Sequence, residues 1–89
     1  MHELTIVTNL IKFLEKLSRK EKAKKVLSIN LKINPYSCLD EENINFIFSN
    51  LVKNNRLLEN AKIYISRNID FISREVIVES VEMETENGN

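Results

Sequence analysis

Residues 26–34 read VLSINLKIN, a run in which apolar and polar residues alternate. Alternate side chains of a β-strand point to opposite faces, so this pattern is typical of a strand with one buried face. The apolar residues of the run are Leu27, Ile29, Leu31 and Ile33. Pro35 follows, and because a proline has no N–H to donate to a β-ladder, we expect the strand to end before it.

In the segments on either side of this strand, the apolar residues are spaced differently. Their apolar residues recur every three or four positions, which predicts two amphipathic helices. Asp40 is a good N-cap for the second helix, and Glu41 and Glu42 would stabilise its first turn. The apolar residues are Leu4, Val7, Leu10, Ile11, Leu14 and Leu17 in the first helix and Ile44, Ile47, Phe48, Leu51 and Val52 in the second.

Two further strands are predicted after the second helix. Residues 61–66 alternate between apolar and polar, and a last strand runs from Glu75 to about Glu84. A β-bulge near Glu79 and Ser80 would bring the apolar residues on either side of it to one face. Those residues are Val76, Val78, Val81 and Met83.

The predicted order is helix, strand, helix, strand, strand, in a single domain of residues 1–84 followed by a frayed polar tail, residues 85–89. The fold class is α/β (α+β): a two-layer sandwich in which two helices cover the apolar face of a small three-stranded mixed sheet. The strands of the strand–helix–strand unit should pair in parallel or flank a shared neighbour. The short connection between the last two strands favours an antiparallel hairpin.

The composition excludes several classes of function. The chain has 89 residues with 13 basic and 13 acidic ones, so it has no overall field to attract nucleic acid or an anionic membrane. One histidine, one cysteine and one glycine cannot build a centre of several histidines, a Cys-rich zinc site or a glycine-rich phosphate loop. We therefore expect a cytoplasmic protein that is not an enzyme and has neither nucleic-acid nor membrane partners.

The first three residues, Met1, His2 and Glu3, are the candidate metal site. A large residue at position 2 hinders removal of the initiator methionine, so we expect the Met1 amine to persist. Such an amine ordinarily has a pKa of about 7.7–8.0 and an imidazole one of about 6.5, so both deprotonate readily near neutral pH. With backbone amides they offer several nitrogen ligands in one plane, which favours Ni(II) or Cu(II) over zinc. Glu3 would orient the imidazole or complement the helix N-terminus.

The structural alternative for these three residues is that His2 is a solvated terminal residue and Glu3 a first-turn charge. Cys38 precedes a helix, where a thiol can be activated, but without a second histidine as base we favour a half-buried structural cysteine. Asp40, Glu41 and Glu42 suit a hard metal ion, but helix capping explains them. The basic residues Arg19, Lys20, Lys22, Lys24 and Lys25 suit a phosphate group or, as we favour, a solvated helix end.

The opening MHELTI, which leads into a helix, is one of five segments that share a family resemblance. The others are the strand at residues 26–33, the Phe-containing helix at 42–52, residues 57–65 and the closing strand at 73–84. Together they resemble the HypA/HybF family of nickel-insertion proteins, the metallochaperones of nickel–iron hydrogenase and urease maturation.

The resemblance implies that the chain holds Ni(II) at its N-terminus for the maturation of hydrogenase or urease. His2 would be the principal ligand, and the Met1 amine and the backbone at His2 and Glu3 would be co-ligands. A nickel-handling GTPase of the HypB type would accept the metal at this end, for the hydrogenase large subunit or urease accessory proteins. The alternative is a metal-independent HypA-like interaction module that binds or regulates these partners through the first helix or an open sheet edge.

The chain departs from the family pattern in two places. Members carry a zinc domain with two Cys pairs between the second and third strands, whereas residues 67–73 contain no cysteine, so no zinc is expected. After the first strand, Asn34-Pro35-Tyr36 stands in place of the usual Gly-Glu-Leu.

Overall fold

The computed structural model describes residues 3–68 and 76–85 and has the predicted order of elements. They are α1 (Glu3–Glu21), β1 (Ala23–Ile33), α2 (Glu41–Leu51), β2 (Lys62–Arg67) and β3 (Ile77–Thr85). The α+β class and the two-layer arrangement are confirmed. Of the predicted polar tail, Thr85 is the last residue of β3 and pairs with Ala23, and residues 86–89 lie outside the described part.

The sheet has the strand order β2-β1-β3, so β1 is the central strand. β1 pairs in parallel with β2, with Ile29 opposite Ile63, and this prediction is confirmed. The predicted hairpin between β2 and β3 is wrong, because β3 pairs antiparallel with the other edge of β1. A central strand separates two outer strands by only about 10 Å. The segment between β2 and β3 is therefore long enough for β3 to pair with either β2 or β1, and its length does not decide between the two.

Both helices pack on one face of the sheet, as predicted. Apolar side chains from α1, β1, α2, β2 and the intervening loops form a single core. Its buried members are Val7, Leu10, Leu14, Val26, Ile29, Leu31, Ile33, Leu39, Ile44, Phe48, Val52, Leu58 and Ile63. The opposite face is polar, and there Asn30 Nδ2 donates to Ser80 Oγ at 2.9 Å.

The alternation along β1 is interrupted where the sequence pattern places Leu27 in the core. Leu27 is 42% exposed, whereas Val26 is buried. The register between β1 and β3 shifts between Val26 and Ser28, so Leu27 is an extra residue in a β-bulge. The bulge changes which face each following residue occupies, and the prediction that Leu27 is buried is therefore wrong.

The β-bulge predicted in β3 is confirmed. Asn30 lies opposite Ser80 and Leu31 opposite Val78, which leaves Glu79 without a partner in the register. Val78 and Val81 consequently both pack against the core. Two other residues expected in the core, Leu4 and Leu51, are exposed, because each lies in a terminal turn of its helix. Neither helix of the described residues is long and apolar enough to cross a membrane.

Candidate functional site

The N-terminal ends of the two helices lie side by side. Glu3 is the first residue of α1, and its Oε1 accepts a hydrogen bond from Asn43 Nδ2 in the first turn of α2. Farther along, Glu15 Oε2 accepts from Asn55 Nδ2 at 3.3 Å, just beyond the C-terminal end of α2. The two helices therefore run in the same general direction, and Glu3 lies beside the start of α2.

A shallow surface depression occupies this end of the molecule. Its lining residues are Glu3, Cys38, Asp40, Glu42, Asn43 and Phe46. Asp40 is the N-cap of α2, as predicted, with its carboxylate accepting from the Asn43 backbone N–H at 2.9 Å. Helix N-termini carry partial positive charge, which stabilises the carboxylates gathered around them. The depression thus combines negative side chains with two helix starts.

The loop that carries Cys38 is held by Arg67 at the end of β2. The Arg67 guanidinium donates to the carbonyl oxygens of Ser37, at 2.8 Å, and of Leu39. A longer contact of 3.4 Å reaches the carbonyl of Pro35. A planar guanidinium has several donors in a fixed arrangement, so one side chain fixes the path of the whole loop. The sequence does not predict this role, because no pattern in the residues around Arg67 distinguishes it from a surface arginine.

Side chains of α2 fix this helix to the outer edge of β2. Asn45 accepts from the Ile63 N–H at 2.9 Å and donates to the Ile63 carbonyl at 2.8 Å. Glu41 Oε2 accepts from the Ile65 N–H at 2.7 Å. These bonds set the position of the first turn of α2, and therefore of Asn43 relative to Glu3. The only sequence signal was a polar residue, Asn45, beside the apolar stripe of the helix.

Cys38 is exposed, so the expectation of a half-buried structural cysteine is wrong. The neighbouring residue Leu39 is the one that enters the core from this loop. With Leu39 facing inward and the carbonyls on both sides of Cys38 bound by Arg67, the thiol is left on the solvent side. It belongs to the lining of the depression rather than to the packing.

Of the three residues predicted to bind the metal, only Glu3 belongs to the part of the chain that the structure describes. Met1 and His2 lie outside the described residues, and Glu3 is bound to Asn43. Within residues 3–68 and 76–85, no three His, Cys, Asp or Glu side chains form a group that could hold a metal ion. His2 is the only histidine in the sequence, so an imidazole ligand could come only from the residue just before α1.

Comparison with known proteins gives a match to one family. The HypA family, described as hydrogenase/urease nickel incorporation metallochaperones, matches residues 1–71. The hydrogenase maturation factor HypA of Actinobacillus succinogenes is 34% identical over 64 residues, which are 72% of this chain and 56% of that protein. The chain therefore spans about half the length of this relative.

Two solved structures share the fold. The solution structure of the Ni metallochaperone HypA from Helicobacter pylori has a TM-score of 0.73 at 20% identity, over 97% of this chain and 100% of that one. A second solution structure, of a HypA protein, has a TM-score of 0.60 at 19% identity, over 96% of this chain and 93% of the other. At these identities the likeness extends to the fold alone.

Proposed function

The chain belongs to the HypA family, and from this we propose that it carries Ni(II) at its N-terminus and delivers it during maturation of hydrogenase or urease. The family match carries the proposal, because it covers residues 1–71 and so includes the opening Met1-His2-Glu3. The proposed role is binding and transfer of a metal ion, with no bond-making chemistry.

The ligands in this proposal are the Met1 amine, the His2 imidazole and the backbone amides of His2 and Glu3. A nitrogen-only set in one plane suits Ni(II) better than zinc, which prefers a tetrahedral arrangement. The Glu3 carboxylate would accept the free N–H of the imidazole and so orient the ring. Its hydrogen bond with Asn43 supports this role, because it holds the carboxylate in place before any metal arrives.

The position of these residues also favours transfer. Met1 and His2 directly precede Glu3 in the sequence, and Glu3 lines a shallow depression with Asp40 and Glu42. Clustered carboxylates attract a cation, and an open surface lets a partner approach the bound metal. Nickel would leave by exchange of ligands within a transient complex, and we propose that a GTPase of the HypB type is the partner that docks at this end.

Zinc has no place in this proposal. The family resemblance puts two pairs of cysteines between the second and third strands, whereas Cys38 is the only cysteine of the sequence and lies elsewhere. We therefore propose that nickel binding by this chain does not require a zinc module. Metal analysis of the purified protein should find no stoichiometric zinc, since one cysteine and one histidine do not supply the four Cys and His ligands of a structural zinc site.

The proposal is tested by titrating untagged protein, with a free Met1 amine, with Ni(II). Calorimetry should give one tight site, and absorbance should show the band of a square-planar Ni(II) centre. His2→Ala and a form extended at the N-terminus should both lose this site, because the first lacks the imidazole and the second the terminal amine. Asn50→Ala, at an exposed position of α2 outside the depression, is the matched control and should bind as the wild type does.

Two results would contradict the proposal. Equally tight binding by His2→Ala would show that the ligand set is wrong. Absence of saturable Ni(II) binding by the wild-type protein would show that the fold is present here without a nickel site. The proposed function would then be the metal-independent interaction module instead of the nickel carrier.

A further inference from the structure

The two edges of the sheet differ in how their backbone groups are satisfied. At the β2 edge, Asn45 bonds both the N–H and the carbonyl of Ile63, at 2.9 and 2.8 Å, and Glu41 bonds the N–H of Ile65 at 2.7 Å. Side chains of α2 thus take the place that a further strand would occupy. The β2 edge is closed to pairing with another chain.

The other edge is β3, a strand of nine residues. Its inner side pairs with β1, and no segment within residues 3–68 and 76–85 pairs with its outer side. An edge strand presents alternate N–H and carbonyl groups outward, and these groups can accept an added strand.

An apolar groove lies at the start of β3, on the face covered by the helices, where Val76 and Val78 line it. Phe13 of α1 forms part of its wall and is 45% exposed. The groove is lined by Ile6, Asn9, Leu10, Phe13, Leu31, Val76 and Val78. A side chain that pointed to this face from a strand beside β3 would be covered by α1 and so removed from water.

The opposite face of β3 is acidic. Glu82 accepts a hydrogen bond from Ser28 Oγ at 3.2 Å, which places both side chains on the open face of the sheet. Glu84 follows two residues later on the same strand and is also exposed. A side chain that pointed to this face from a neighbouring strand would lie close to these carboxylates.

We propose that the outer edge of β3 and the adjacent groove bind an extended segment of a partner protein as a fourth strand. The segment would alternate apolar residues, of which those beside Val78 fill the groove beneath Phe13, with lysines or arginines, which face Glu82 and Glu84 farther along the strand. Alternation follows because successive side chains of the added strand meet the two different faces. A second copy of this chain is a poor occupant, because pairing β3 with itself would bring the glutamates of two molecules together. The inference does not depend on nickel.

The test uses a nine-residue peptide of alternating valine and lysine and the full-length protein labelled with 15N. Binding should shift the amide signals of residues 77–85 and of Phe13 and leave those of β2 in place. A peptide with glutamate in place of lysine should bind about tenfold more weakly or worse, because like charges then face each other. A valine–lysine peptide N-methylated at alternate residues should also lose binding, because it lacks the backbone donors on one edge.

Two pairs of variants separate the contributions of the groove and of the charges. Phe13→Glu puts a charge into the groove, and its control is Phe46→Glu on the exposed face of α2. Glu82→Lys reverses a charge on β3, and its control is Glu59→Lys on an exposed loop residue. Each test variant should weaken binding about tenfold while its control stays within about twofold. Dispersed amide spectra confirm that each variant is folded.

Three results would overturn the proposal. They are the absence of shifts in β3 at millimolar peptide, equal binding of the lysine and glutamate peptides, and shifts in β3 that depend on protein concentration alone. The last result would mean that a second copy is the occupant of this edge.

Discussion

At the scale of single residues, the contact between Glu3 and Asn43 joins the start of one helix to the start of the other. An unrestrained glutamate in the first turn of a helix samples many rotamers, and fixing it costs conformational entropy. The Asn43 amide offsets that cost in the folded protein, before a metal binds. The proposed nickel site therefore rests on a carboxylate that is already in position.

Asn43→Ala tests this positioning role. Without the amide, the Glu3 carboxylate is free to rotate. We expect the affinity for Ni(II) to fall, by less than the about 10- to 100-fold that is typical of residues bonded directly to a ligand, because Asn43 acts through Glu3. Asn50→Ala, on an exposed position of the same helix, is the control and should leave the affinity unchanged. Calorimetric titration measures both. Unchanged affinity in Asn43→Ala would show that the hydrogen bond serves the packing of α1 against α2 alone.

Nickel affinity should also depend on pH. The amine and the imidazole must be deprotonated to bind a metal, and their ordinary pKa values are about 7.7–8.0 and 6.5, so protons compete with Ni(II) below about pH 8. Lowering the pH from 8 to 6 should weaken binding by more than about tenfold, since both ligands become protonated. Titrations at several pH values measure this slope. Affinity that is flat over this range would argue for carboxylate ligands instead.

At the scale of elements, the position of α2 depends on its polar contacts with β2 as well as on its apolar stripe. Asn45 satisfies two backbone groups of Ile63, and Glu41 satisfies one of Ile65. Without these side chains, the outward-facing backbone groups of the edge strand would lack these hydrogen-bond partners. The helix thereby closes the edge of the sheet and sets the place of its own first turn beside Glu3.

Asn45→Ala should leave both backbone groups of Ile63 without their partner. We expect the free energy of unfolding to fall by about 1–3 kcal/mol, the usual cost of polar groups left unpaired at a partly buried position. Asn50→Ala serves as the control, since its amide bonds only a carbonyl of its own helix. Urea denaturation measures the stability, and hydrogen exchange at the Ile63 amide should speed up. Equal stability of the two variants would contradict the role given to Asn45.

The sequence predicts most of the elements because each has a local pattern. The alternation in β1, the N-cap at Asp40 and the change of phase around Glu79 all depend on near neighbours in the chain. The edge on which β3 pairs, the bulge at Leu27 and the loop contacts of Arg67 depend on segments far apart in sequence. The metal site was suggested by residue chemistry and family resemblance, while its support from Asn43 required the packing of two helices.

At the scale of the whole molecule, the described core begins at Val7, after the residues proposed to bind nickel, and it shares Leu10 and Leu31 with the groove beside β3. The core joins both helices to one face of the sheet. The N-terminal residues precede α1, and the proposed docking edge is the outer side of β3. A chain of 89 residues has a thin core, so substitutions there should have large effects on stability, whereas those outside it at either surface should have small ones.

Phe48→Ala and His2→Ala test this difference. Phe48 is among the largest fully buried side chains, and its loss should cost about 3–5 kcal/mol, enough to unfold much of the population of so small a domain. His2→Ala should change the free energy of unfolding by less than about 0.5 kcal/mol, since His2 precedes the apolar stripe of α1 in the sequence. Chemical denaturation without metal measures both. A large loss of stability in His2→Ala would mean that the N-terminus is part of the packed structure.

The central claim is that Ni(II) binds at the N-terminus, and the most direct measurement is the amide spectrum of 15N-labelled, untagged protein with one equivalent of Ni(II). A square-planar Ni(II) centre is diamagnetic, so signals near the metal stay observable. The account predicts that the amide signals of His2 and Glu3 disappear as these groups deprotonate, that those of Asn43 and its neighbours shift, and that β3 is unchanged. An unaltered spectrum, or shifts centred away from Glu3 and Asn43, would contradict it.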